Sequence, residues 1–70
     1  MSRRRITIEE RGRQVVLRGW RAAELAREAG AKPLFVGSVG GWVIEATRLP
    51  DLMAILERRG ISSHDGGDAA

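Results

Sequence analysis

Leu34-Phe35-Val36-Gly37-Ser38-Val39-Gly40-Gly41-Trp42-Val43-Ile44 is the stretch on which the fold turns. Two apolar runs, rich in β-branched and aromatic side chains, flank a segment punctuated by three glycines. Glycine gives a turn its backbone freedom, whereas inside a helix each one costs about 1 kcal/mol relative to alanine. The stretch therefore reads as a β-hairpin, with strands over 34–36 and 42–46 joined through Gly37-Ser38-Val39-Gly40-Gly41.

Working outward, a first hairpin precedes it. Ile6 and Ile8 alternate with Arg5, Thr7 and Glu9, the pattern of a half-buried strand. Glu10-Arg11-Gly12-Arg13 supplies the turn, and Gln14 to Arg18 returns with Val15 and Leu17 on one face and Val16 on the other. Each hairpin is followed by a helical pattern. Over Trp20–Ala29, Ala22, Leu25, Ala26 and Ala29 form one apolar stripe that closes at Gly30. In the second unit, Leu49, Leu52, Met53 and Leu56 recur at helical spacing. Pro50 and Asp51 suit the helix start, Arg58 and Arg59 its end, and Gly60 its stop. Shifting the first unit by about 27 positions lays Val16 on Val43, Arg21 on Arg48, Glu24 on Asp51 and Leu25 on Leu52. The expected architecture is α+β, ββαββα: a four-stranded antiparallel sheet with two helices packed on one face. The domain would span residues 5–61, after a flexible basic arm at 1–4 and before a disordered polar tail at 62–70.

The segment from Ala22 to Val39 also resembles a helix-turn-helix. Leu25 and Ala26 would sit inside the first helix, Ala29-Gly30-Ala31 at the turn, and Val36 and Val39 on the inner side of the second. The resemblance implies a second helix lying in the major groove of DNA. The chain departs from that pattern in the second helix. Pro33 is tolerated only at its start, Gly37, Gly40 and Gly41 interrupt it, and apolar Leu34, Phe35, Val36 and Val39 leave only Lys32 and Ser38 for base edges. A hairpin accommodates the same residues without conflict.

Seventy residues make one domain. A chain of this length buries only about 60% of its unfolded surface, so its stability is marginal. With no cysteine and the single histidine His64, disulfides are excluded and a structural zinc site has almost no ligands. A core completed by a second subunit, as in a homodimer, is one remedy. No apolar segment has the length of a membrane span, and the charged N-terminus is not followed by the apolar run of a secretory signal. The expected setting is soluble and cytoplasmic, with no membrane partner.

Enzymatic chemistry finds little to work with. His64 lies beside Asp65 in the polar tail, no thiol exists, and no pair of carboxylates is held at a telling spacing. Gly37–Gly41 lacks the lysine and helix start that make a phosphate loop. No catalytic residue, cofactor, metal or small-molecule substrate is expected. Charge is more informative. The net is +3, but the first 21 residues carry seven arginines against two glutamates, a net of +5, and the remainder carries five basic and seven acidic residues, a net of −2. Such asymmetry points to an anionic partner. The expected function is a small non-enzymatic DNA-binding accessory or regulatory protein, with Arg3, Arg4, Arg5, Arg11, Arg13 and Arg18 meeting the phosphates of a duplex. Three aromatic residues are too few for a single-strand stacking platform. The alternative is a protein–protein interaction module, a homodimer or small inhibitor, whose open sheet face presents Val16 and Trp42 as an apolar patch.

Overall fold

Alternating side chains decide the hairpins. In the computed structural model, which describes residues 4–65, β1 (Arg5–Arg11) and β2 (Gln14–Gly19) pair antiparallel with Ile8 opposite Leu17. Ile6, Ile8, Val15 and Leu17 thereby share one buried face. The glycine-rich stretch is a hairpin: β3 (Leu34–Val36) and β4 (Gly41–Glu45) pair with Phe35 opposite Trp42. Strand therefore stands where a helix-turn-helix needs its recognition helix. Two helices complete the layers, α1 (Ala22–Glu28) and α2 (Leu49–Arg59), the second entered through a 3₁₀ turn at Ala46–Arg48.

The sheet corrects the expected one in two respects. It has five strands in the order β3-β4-β2-β1-β5, and it is mixed, because β5 (Ser62–Asp65) runs parallel to β1. β5 comes from residues expected to be a disordered tail. Its sequence carries no strand pattern; main-chain pairing explains it. Gly60 ends α2 with φ 67° and redirects the chain, Ile61 is buried as an anchor, and the Ser62 N–H donates to the Arg4 carbonyl at 3.1 Å. The backbone then runs along the otherwise unpaired edge of β1. Residues 1–3, Arg3 among them, and residues 66–70 lie outside the described residues.

The internal repeat has a geometric counterpart. In the central β2–β4 ladder, Val16 pairs with Val43, Val15 with Ile44 and Leu17 with Trp42. The shift that lays Val16 on Val43 also carries Val15 onto Trp42 and Leu17 onto Ile44, so it exchanges the two flanking pairs. The four antiparallel strands are thus related by an approximate two-fold axis through the Val16–Val43 pair. β5 breaks the symmetry: it covers the outer edge of β1, while the equivalent edge of β3 pairs with no described residue.

Both helices pack on the face of Ile6, Ile8, Val15, Leu17 and Ile44, where Ala22, Leu25, Ala26, Leu52, Ile55 and Leu56 complete the core. The small side chains of α1 let it lie close to the sheet. α1 begins two residues later than its pattern suggests, because Gly19 (φ 118°) and Arg21 (φ 49°) fold the chain into a tight corner first. In α2 the buried stripe runs through Leu52, Ile55 and Leu56; Met53, expected inside, is 39% exposed.

Candidate nucleic-acid interface

With both helices on one side, the other face of the sheet is uncovered. Strand alternation puts Arg5, Thr7, Glu9 and Arg11 of β1 on this open face, opposite Ile6 and Ile8. Beside them stand Val16 and Arg18 of β2, then Val43 of β4 and Leu34 of β3. The register aligns Glu9, Val16, Val43 and Leu34 in one row across four strands. The row passes from ionic at β1 to apolar at β3.

Glu9 organises the ionic half. Its carboxylate accepts from Arg11 Nε, and from Arg18 Nη1 at 3.0 Å. These hydrogen bonds, Arg11's foremost, hold the Glu9 carboxyl below the ordinary glutamate value of 4.5. Arg18 continues across the sheet, donating from Nη2 (2.6 Å) and Nε (3.2 Å) to the Val39 carbonyl in the β3–β4 turn. Gly41 makes this crossing possible. A methyl group there would fall 3.0 Å from Arg18 Cγ and 2.7 Å from Val16 Cγ1, so both side chains occupy space that only glycine leaves open. Arg18 is consequently half-buried, and Val16 is only 2% exposed although no helix covers it.

The expected contact residues fall into distinct settings. Arg5 and Arg13 are exposed and belong to no ion pair among the described residues; their backbone carbonyls accept from Trp20 N–H (3.0 Å) and Ala46 N–H (2.8 Å). Arg11 is exposed with its Nε committed to Glu9. The Arg4 guanidinium lies 5.2 Å from the Trp20 ring centroid, and Arg21 lies 5.0 Å from the same ring. Arg4 and Arg5 therefore stand at one end of β1 and Arg11 and Arg13 at the other. The two residues of the interaction alternative are not brought together. Trp42 shares the helix-side face with Leu17, half-buried and edge-on to Phe35 (centroids 5.3 Å apart, planes at 67°), while Val16 lies beneath Arg18 on the opposite face.

Two groups went unnoticed in the sequence. Lys32 and Arg48 flank a cleft of about 190 Å³ with Gly30, Ala31 and Glu45; beyond Glu45, a shallower one of about 590 Å³ is bordered by Gly12, Arg13 and Thr47. This end of the sheet adds cations from three segments far apart in the chain, which no local window reveals. Leu34 (67% exposed) and Phe35 (54%) are the other group. Here a signal existed: adjacent apolar residues in a strand face opposite sides, so one of them must point away from the helices. Among the described residues no cluster of three potential metal ligands occurs, and no helix is long and apolar enough to cross a membrane. Compared with protein-family models, with curated proteins and with solved structures, the chain matches none.

Proposed function

We propose that the chain is a small, non-enzymatic DNA-binding accessory or regulatory protein that meets the duplex backbone through its first hairpin. One observation carries this: Glu9, the carboxylate on the open face of β1, is shared by two guanidinium groups. The face therefore keeps a positive balance, and Arg5 and Arg13 stay available at its two ends. Arg5 and Arg11 are separated by about 20 Å of strand, a length of B-DNA axis carrying roughly twelve phosphates. Arg5, Arg11 and Arg13 offer the most accessible donors, Arg3 and Arg4 would extend the contact, and Arg18 adds charge while holding Glu9 and Val39. A guanidinium matches phosphate oxygens bidentately, and contacts to phosphate carry no base preference, so the binding would be sequence-tolerant.

Fluorescence anisotropy with a labelled duplex over a salt series tests it. Four to five phosphate contacts imply a slope of log K against log salt of roughly −4. Arg5→Gln, Arg11→Gln and Arg13→Gln together should reduce that slope by two to three, as about 0.9 per lost contact requires. The same charge removed at Arg27, Arg58 and Arg59, all on the helix side, should change it far less. No binding at low salt, indifference to salt, or equal losses in the two triple variants would refute the proposal.

A further inference from the structure

We propose that two copies of this chain join edge to edge through β3, extending the five-stranded sheet into a continuous ten-stranded one. The outer edge of β3 is the pseudo-symmetric counterpart of the β1 edge that β5 covers, and it pairs with no described residue. It carries the two most exposed large apolar residues, Leu34 and Phe35, on opposite faces. Natural sheets blunt such edges with short strands, proline, charge, bulges or a covering segment; β3 is only three residues long and follows Pro33, but no described segment covers it and it carries no charge. From Pro33 to Ile44 there is no ionisable residue at all.

The main chain specifies the occupant more closely than the side chains do. The Val36 carbonyl turns inward, accepting from Gly40 N–H at 2.9 Å in the β3–β4 turn. By the alternation of an antiparallel ladder, the N–H and C=O of Phe35 then point outward. A second copy laid antiparallel with its Phe35 opposite this Phe35 would exchange two N–H···O=C bonds at that pair. The next outward positions bring Gly37 opposite Pro33 of the second copy. Gly37 N–H would donate to that proline's carbonyl. Proline returns no N–H, and none is required, because the Gly37 carbonyl already accepts from Gly40 N–H at 3.1 Å. Four bonds form with no partner left over.

Side chains agree with this register. Leu34 meets Val36 of the second copy on the open face, the two Phe35 rings meet beside their Trp42 neighbours on the helix side, and Lys32 falls opposite Ser38, so no like charges face each other. An isologous two-fold contact is the commonest form of self-association. Three-residue strands bury less than the roughly 1,200 Å² of a stable interface, so the dimer should be weak, with a Kd of about 10 μM to 1 mM.

Sedimentation equilibrium on the full chain, from micromolar to millimolar, reads the equilibrium directly. A reversible monomer–dimer system is expected, with exchange of the Phe35 and Gly37 amide protons slowing as concentration rises. Gly37→Pro removes only the outward N–H and should weaken dimerisation roughly tenfold to a hundredfold, for two lost main-chain bonds. Phe35→Lys should abolish it; an unchanged far-UV spectrum in both variants separates lost association from lost fold. A monomer at millimolar concentration, a dimer indifferent to both variants, or Phe35 exchange independent of concentration would overturn the proposal. Each readout is made without nucleic acid, so the outcome is separable from duplex binding.

Discussion

Gly41→Ala tests whether the open face is as tightly organised as its contacts imply. Gly41 sits on β4 in an ordinary strand conformation, so alanine there carries no penalty of backbone dihedral; the whole cost is steric. The added methyl would lie 2.7 Å from Val16 Cγ1, 2.9 Å from the Leu17 carbonyl oxygen and 3.0 Å from Arg18 Cγ. Arg18 can swing away by giving up its bonds to Val39, but the Leu17 oxygen belongs to the neighbouring strand and moves only with the ladder. Overpacking of this kind costs about 1–3 kcal/mol. A chain of this length has roughly 4–10 kcal/mol of stability in all, and each kcal/mol shifts Tm by about 4–8 °C. Gly41→Ala should therefore lower Tm by roughly 5–20 °C in thermal unfolding followed by circular dichroism. Gly37→Ala is the internal comparison. Nothing lies within 4 Å of a methyl at Gly37, and its φ lies outside the left-handed region, so the change should be neutral or stabilising by up to about 1 kcal/mol through the unfolded chain. Equal Tm values for the two variants would refute the claim that Val16 and Arg18 fill the space above Gly41.

Gly19→Ala should be more damaging still. The methyl would lie 2.5 Å from the Arg5 carbonyl oxygen at φ 118°, so clash and backbone strain combine to about 3 kcal/mol or more; a Tm within a few degrees of the parent protein would contradict this. The Glu9 carboxyl, followed by carbon-detected NMR over an acid titration, should titrate below 4.5, because Arg11 and then Arg18 donate to its charged form. A native pKa below the unfolded value means that Glu9's stabilising contribution is complete above the unfolded pKa and disappears as pH falls through the native one. Glu9→Gln should remove that part of the acid sensitivity, and a Glu9 midpoint at or above 4.5 would be inconsistent with the two hydrogen bonds.

Much of the architecture was legible because it is written in local periodicity. Ile6/Ile8 and Val15/Leu17 announce a half-buried hairpin, Gly37 to Gly41 a turn, and Leu52 to Leu56 a helix that Gly60 closes. β5 was not legible, since Ser62-Ser63-His64-Asp65 has neither alternation nor apolar content; it is a strand because β1 offers a free edge at the place where α2 delivers the chain. Register is the second source of surprise. Whether Trp42 shares a face with Val16 or with Leu17 depends on a one-residue choice in the β2–β4 ladder, which nothing within either strand determines. The arginines show the same division. That Arg5 and Arg13 lie at the surface follows from their positions in a strand and a turn. That Arg18 is diverted to Val39 follows from a missing side chain at Gly41, two strands from the carboxylate it also holds.

The parallel pairing of β5 with β1 also has a consequence for the order of assembly. The first hairpin closes through a two-residue turn, whereas joining Arg5 to Ser62 closes a loop of nearly the whole described chain. At ~0.6 kcal/mol for each doubling of loop length, that closure costs roughly 3 kcal/mol more entropy than the hairpin's. It is repaid only once α2 is already seated on the core, because α2 delivers the strand. On this entropy difference β5 pairs after the first hairpin, and until it does β1 presents an unprotected sheet edge. β5 thus acts as a guard of β1, closing an edge that would otherwise be open to strand exchange with neighbouring molecules.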